Sequence, residues 1–519
     1  MTSRKKLYGW LSVVLLCNFC TLHTKKNSKP KKISKYQKQV DEYKKITVKD
    51  ILLENKNIKK EDFLFGVGTS SYQVEGSAGA KNKTYNQWLE LTGKEIELEV
   101  DNKKEKKTLS NPLNGCEHWD RYKEDIQLVK NLGCNTYRFS ISWGKINPQE
   151  GKISQKALSH YEDVCKELKK NNIRPIITLY HYTHPIWFEK KGAFEKEENI
   201  SHFVDYAIKV FERLNKYNPM WATINTFTGA SLQSYYMGTK PPFKKDMGLA
   251  LEVLKNILEA HVRFYRTAKN LKNPVTKKPI ISTIGIYKSM FVVEKYRSWQ
   301  FWDNIGISFV EKLNNESIYD FFTTGKLNIS LGIPALFIKN SISHENKDAI
   351  GAADWVGCNY YSGGLMSNFG IKSHKENIPT QSSLLSIYPE GFYTALHSIN
   401  DGLAKPLSIP IYVTENGIPT NNEEHRDVFY RSHLQIVSKV IQEGMDIRGY
   451  VVWTLMDNFD WLEGYNFNFG LYAVDRKTQK RTLKDGATFY VDVIKHHNAP
   501  TKKIIEKDKK NIPLNTKTA

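Results

Sequence analysis

The sequence predicts an α/β protein built as a (β/α)8 barrel, a TIM barrel, and three observations carry that expectation. Eight short apolar, β-rich runs recur along the chain, at 65–69, 136–140, 175–179, 221–224, 281–286, 355–358, 411–414 and 450–454. Longer amphipathic stretches, such as 122–131, 158–171, 201–217 and 429–443, lie between them. Apolar runs flanked by helical patterns read as parallel strands with crossover helices, and eight such units in 519 residues suit one barrel with insertions. Periodicity alone leaves a doubly wound sheet as the alternative.

The flanks read differently from the barrel. Arg4, Lys5 and Lys6 precede an apolar stretch from Leu7 to Leu22, the pattern of a secretory signal. Residues 1–24 are therefore expected to be a signal peptide or N-terminal anchor, and the protein is expected to be secreted or exported. No small-x-small cleavage site follows, and the run falls short of the roughly 20 residues of a membrane-spanning helix. Membrane association through an uncleaved N-terminus stays open. Residues 25–60 are Lys-rich and poor in large apolar groups, which predicts a linker adding little to the core. The charged stretch 90–111 reads as a surface insertion within a barrel spanning 61–499, and 500–519 as a polar tail.

Composition narrows the partners. Hydrophobic residues make up 40% of the chain, enough for one large core. The net charge of +21 could favour nucleic acid. No nucleic-acid-binding module accompanies it, and the Lys residues crowd the flanks, so a solvated basic surface is the expectation. The six cysteines show no metal-ligand spacing with each other or with histidine, so no metal is expected.

Barrel enzymes carry their chemistry at the C-terminal ends of the strands, where the βα loops gather. The polar residues at those places are Gln73, Arg138, His181, Asn225, Tyr361, Glu415 and either Trp453 or Asp457. Each is an odd choice for a core. Together they suit a ring of hydrogen-bonding groups around a hydroxyl-rich ligand, and the aromatic residues offer flat faces for sugar rings.

The motifs around these residues are FLFGVGTSSYQVEG, NTYRFSISW, TLYHYTHP, VGCNYYSG, IYVTENG and VVWTLMDNFDWLEGYNFNFGLYAVD, in that order over about 63–497. This ordered set resembles glycoside hydrolase family 1, the β-glucosidase family. The resemblance implies a retaining β-glycosidase fold and site, a carbohydrate or β-glycoside ligand and no cofactor. It implies that Glu415 is the nucleophile and that Arg138 and Tyr361 keep its carboxylate charged and oriented. It implies that Gln73, His181, Asn225, Trp453, Asp460 and Trp461 bind the substrate.

The fourth strand departs from that pattern. The family writes Asn-Glu-Pro at its end, and the Glu is the general acid/base. Here Asn225, Thr226 and Phe227 fall on those places, so a threonine stands where the acid belongs. Asp460 replaces the family's Glu, and His181-Tyr182-Thr183 replaces His-Trp-Asp. The expected function is hydrolysis of O-glycosyl bonds of β-glucoside-type substrates, impaired or specialised because the acid is missing. A non-catalytic sugar-binding protein and a transglycosidase are the alternatives.

Overall fold

Eight parallel strands close into a ring. The computed structural model describes residues 33–76, 85–100, 103–273, 275–297, 301–330, 341–367 and 370–499. The barrel strands are β1 (Leu64–Gly68), β2 (Thr136–Ser140), β3 (Arg174–Tyr180), β4 (Met220–Ile224), β5 (Thr283–Lys295), β6 (Val356–Ser367), β7 (Ile411–Asn416) and β8 (Ile447–Trp453). Each strand pairs with the next, and β8 pairs back with β1 through Leu64 opposite Gly449. Closure leaves the ring without an edge and excludes the doubly wound sheet.

The interior is packed rather than hollow. Leu64, Ile176, Met220, Tyr287, Tyr412 and Val451, drawn from six strands, meet Trp355 in one buried cluster. Gly66 keeps two strands close, since a Cβ there would lie 2.4 Å from the Thr136 side chain. Helices pack around the strands, and several bury one face. In α1 (Ile200–Leu214), Phe203, Tyr206, Ala207, Val210 and Phe211 face inward at helical spacing. The helix α2 (Met247–Asn270) starts at Asp246, whose carboxylate accepts from the Leu249 amide.

Two strands run longer than their apolar runs suggest. β5 and β6 continue as a pair past the barrel rim, from Gly363 opposite Val292 to Met366 opposite Lys295. The Gly363-Gly364 step reads locally as a turn. In the fold these glycines lie against Tyr388 and Ile371, and a Cβ on either would come within 3.0 Å of them.

The linker expected over 25–60 needs correction. From Ile33 onward the chain packs against the barrel: Ile33–Tyr43 is a helix, and Val40, Ile46, Ile51 and Leu53 are buried in the main core. Asn55 Nδ2 donates to Asp446 and to the Ile447 carbonyl, pinning the segment to the start of β8. Apolar content was too low to signal packing, because a few well-spaced side chains suffice when the barrel already presents a surface. Residues 1–32, with the expected signal or anchor, and 500–519 lie outside the described residues. Among those described, no helix is long and apolar enough to cross a membrane.

The charged stretch 90–111 contains a hairpin, Glu95–Val100 paired antiparallel with Lys103–Thr108. Opposite charges face across it at Glu97 and Lys106. Its base carries Trp88, Leu89 and Leu109 into a buried cluster with Tyr72, Phe459 and Trp461. The insertion is thus exposed at its strands and rooted beneath the loop that follows β8.

Leu53 and its neighbour Leu52 test the corrected segment. Leu53 is 2% exposed and Leu52 50%. Leu53→Ala is expected to cost about 2–4 kcal/mol, and Leu52→Ala less than about 0.5 kcal/mol. Urea unfolding of both variants checks this, and equal midpoints would show that the segment does not pack.

Candidate active site

The site begins with a charge placed inside the barrel. Arg138 lies in β2 with its side chain fully buried, and its guanidinium sits 4.2 Å from the Tyr287 ring centroid. One nitrogen donates to Glu415 Oε1 at 2.6 Å and another to Asn225 Oδ1 at 2.7 Å. Tyr361 donates to the second oxygen of Glu415, also at 2.6 Å. Both carboxylate oxygens are therefore held from opposite sides, and the charge-assisted bonds fix the side chain's orientation.

A local irregularity aims Glu415. Cys358 pairs with Val413 but Asn359 pairs with Glu415, so Thr414 is an extra residue in β7. A bulge of this kind bends its strand and redirects the following side chain. The Thr414 hydroxyl donates to Asn359 Oδ1 at 2.7 Å, and Asn359 Nδ2 donates to Asn225 Oδ1 at 3.2 Å.

Asn225 then sets the state of His181. Its oxygen accepts from Arg138 and Asn359, so its amide nitrogen donates to His181 Nε2 at 3.0 Å. The histidine must accept there and carries its proton on Nδ1. Burial, with the Arg138 and Lys240 charges nearby, pushes the imidazole well below its ordinary range, so it is neutral. Among the described residues Nδ1 has no hydrogen-bond partner. The ring lies parallel to Trp453 and Trp461 at centroid distances of 5.8 and 6.1 Å.

These groups line a cavity of about 400 Å³. Eight of the residues predicted from sequence face it: His181, Asn225, Thr226, Tyr361, Glu415, Trp453, Asp460 and Trp461. Arg138 lies behind the wall and acts through Glu415 and Asn225. Gln73 is engaged by the protein itself: its amide donates to Asn458 and the Phe459 carbonyl, and its oxygen accepts from Ser70. It holds the loop that carries Asp460. Of the two readings at the end of β8, Trp453 faces the cavity, while Asp457 pairs with Lys484 at 2.8 Å.

Tyr182, Lys240, Ser289 and Asn359 also line the cavity. Asn359 shares a strand face with Tyr361, and Ser289 shares one with Tyr287, so alternation along β5 and β6 carried that signal. Lys240 sits 15 residues beyond Asn225, after the helix Phe227–Tyr235, and nothing local marks it. Thr226 has φ +56°, uncommon for a β-branched residue, and its hydroxyl lies 2.6 Å from the Tyr182 hydroxyl.

Comparison with known proteins places this geometry. A model of Glycosyl hydrolase family 1 matches residues 55–499. The chain belongs to that family. β-Glucosidase A of Thermotoga maritima is 29% identical over 470 residues, covering 85% of this chain and 99% of the relative. A β-glucosidase structure from Exiguobacterium marinum superposes with a TM-score of 0.75 at 29% identity, over 86% of this chain and all of that one. The Thermotoga maritima β-glucosidase solved with glucoimidazole gives a TM-score of 0.72 at 29% identity, over 84% and 98%. The (β/α)8 barrel presents its candidate site at the C-terminal ends of the strands.

Asp460 differs from Glu415 in having no cation bonded to it in the same way. Its Oδ2 is buried without a hydrogen-bond partner among the described residues. Burial, with Glu463 nearby, raises its carboxyl from 3.8 to about 7, against the opposing pull of Lys240 and Lys107. The fold therefore favours the protonated form. The stability this contributes is complete below about pH 4 and is lost as pH rises through about 7. Wild-type stability relative to Asp460→Asn should fall across that window by up to about 1.4 kcal/mol per pH unit. Denaturant unfolding at a series of pH values measures it, and a pH-independent difference would show an ordinary carboxyl.

Proposed function

We propose that this chain acts on β-glycosides by a retaining route in which Glu415 attacks the anomeric carbon and Thr226 stands where a general acid would. The observation that carries the reading is the Glu415 carboxylate, held by Arg138 and Tyr361 at 2.6 Å each on the wall of a polar and aromatic cavity. A charged, oriented carboxylate is what nucleophilic attack requires. The sugar-like inhibitors bound by the Thermotoga maritima relative, glucoimidazole and deoxynojirimycin, support a carbohydrate ligand here. His181 Nδ1 and Asp460 Oδ2 then supply a donor and an acceptor for hydroxyl groups, and Trp453 and Trp461 supply faces for the ring.

The leaving-group side is different. In the first step a Glu415 oxygen bonds to the anomeric carbon, and the glycosidic C–O bond breaks with its electron pair going to the departing oxygen. In retaining enzymes a second carboxyl group about 5–5.5 Å away gives that oxygen a proton and later takes one from water. Thr226 and Tyr182 offer only hydroxyls. The threonine does not ionise usefully, and burial together with the Glu415 charge raises the Tyr182 phenol above its ordinary range. Losing general acid help is worth about 10²–10⁴-fold in rate. The substrates turned over are those whose leaving group departs without a proton. The basic and apolar start of the sequence supports an exported protein.

A second reading, sugar binding without turnover, draws on the same Thr226. A dinitrophenyl β-glucoside and an alkyl β-glucoside separate the two. The expected outcome is covalent labelling of Glu415 by the first, seen by mass spectrometry, with the alkyl glycoside slower by about 10²-fold or more. Azide should speed release of the glycosyl-enzyme, since it attacks without losing a proton. Thr226→Glu should recover part of the alkyl glycoside turnover. Similar rates on both substrates would mean that another residue supplies the proton, and binding without labelling would favour the non-catalytic reading.

A further inference from the structure

Asp460 is held in a state that a ligand can change. It is 4% exposed and lines the cavity. Its backbone is pinned on both sides. The Asp460 amide donates to the Gly464 carbonyl at 2.5 Å, and its carbonyl accepts from the Glu463 amide at 2.7 Å. Gln73 holds the neighbouring Phe459 carbonyl, also at 2.7 Å. The segment is thus fixed, and Oδ2 stays buried with no donor among the described residues. A carboxylate oxygen that has lost water and gained no hydrogen bond is costly, so such a group keeps its proton. That is the direction found here: burial first, and then the Glu463 charge, raise the carboxyl to about 7.

We propose that Asp460 couples glycoside binding to proton release: a hydroxyl of the bound sugar donates to Oδ2, the carboxyl ionises, and its proton passes to the solvent. The proposal rests on the reading of the cavity as a glycoside site and adds how that site responds to pH. Two observations set the direction. Asp460 is already buried by the protein itself, so a sugar adds little desolvation and brings the missing hydrogen bond. A hydrogen bond to a charged oxygen is roughly twice as strong as a neutral one, so the new donor favours the ionised form. The charges around Asp460 act on it from three elements. Lys240, after the helix Phe227–Tyr235, and Lys107, on the hairpin, favour the anion; Glu463, in its own loop, opposes it and pairs with Lys107 at 2.9 Å. On the rest of the cavity wall His181 is neutral, the Tyr182 and Tyr361 phenols are raised, and Glu415 is held by Arg138 and Tyr361. The sign of the linkage follows. Below about pH 7 the free carboxyl is protonated and the bound one ionised, so binding releases a proton and weakens as pH falls. Above that pH both are ionised and the affinity levels off.

Phenyl 1-thio-β-glucoside and its galacto epimer have no ionisable group, so any linked proton comes from the protein. Titration calorimetry of the full-length protein at about pH 6, in cacodylate and in MES, counts that proton from the difference in buffer ionisation heat. About one proton should be released per bound ligand, and the affinity should fall by up to about tenfold per pH unit on going down from about pH 7. Asp460→Asn, which cannot ionise, should bind with no proton release and no such slope. Glu415→Gln should still release the proton, which excludes the nucleophile as its source and carries the test if Asp460→Asn fails to fold or to bind. Proton uptake, or no linked proton, in the wild type overturns the proposal and leaves the glycoside reading intact. So does release that persists in Asp460→Asn or is lost in folded Glu415→Gln. Binding of neither probe overturns both.

Discussion

The buried guanidinium of Arg138 is the constraint from which the site is built. An arginine inside a barrel, with no water around it, must find acceptors or carry a large desolvation penalty. It finds Glu415 and Asn225, and the Tyr287 ring covers its face. Each partner then loses a freedom of its own. Glu415 is fixed in orientation, Asn225 has its oxygen committed, and its amide nitrogen can only donate, which decides the protonation of His181. Four strands are tied together in this way by one cation. A hydrogen-bond chain this short, in a region of low dielectric, leaves few alternatives to the arrangement found.

The two ends of the cavity follow different rules. Around Glu415 both carboxylate oxygens have a charged or strongly polar partner, which fixes the side chain. Around Thr226 the contacts are hydroxyl to hydroxyl, with Tyr182 at 2.6 Å. Tyr182 and Thr226 come from the ends of β3 and β4, and their side chains fill one space between them. Gly229 has no room for a side chain there, because a Cβ would lie 2.4 Å from the Thr226 hydroxyl. The Tyr182 and Thr226 side chains are therefore packed against each other in one part of the wall. On the proposed reading, this wall selects substrates by how readily their leaving groups depart.

Elements outside the barrel support the pocket from behind. The hairpin insertion roots itself through Trp88, whose indole donates to the Tyr182 carbonyl at 3.1 Å and whose ring packs 5.1 Å from Trp461. Lys107 on the same insertion reaches Glu463, three residues beyond Asp460. Gln73, after β1, holds the Asp460 loop from the other side. The position of Asp460 is thereby determined by groups from two separate parts of the chain. This is the reason its carboxyl can be kept buried and short of partners: the surrounding structure supplies the rigidity that the site itself does not.

Much of this was legible in the amino-acid order. Eight apolar runs and their intervening helices follow from burial on both faces of a parallel strand, a local property, and they predict the parallel strands; the pairing of β8 with β1 closes them into a barrel. Polar residues at strand ends, such as Arg138, Asn225 and Glu415, stand out because a core would reject them. Three things were decided only by the tertiary structure. The segment from Ile33 to Leu53 packs because the barrel offers a surface to its few apolar side chains, which composition cannot register. Gln73 bonds to Asn458 and Phe459 because these residues, 385 and 386 positions away, come within hydrogen-bond reach. Lys240 entered the pocket because Pro241, Pro242 and the Gln233 carbonyl direct its loop inward. In each case the deciding term is a contact between residues far apart in the chain, and such contacts have energies that exist only once the barrel has closed.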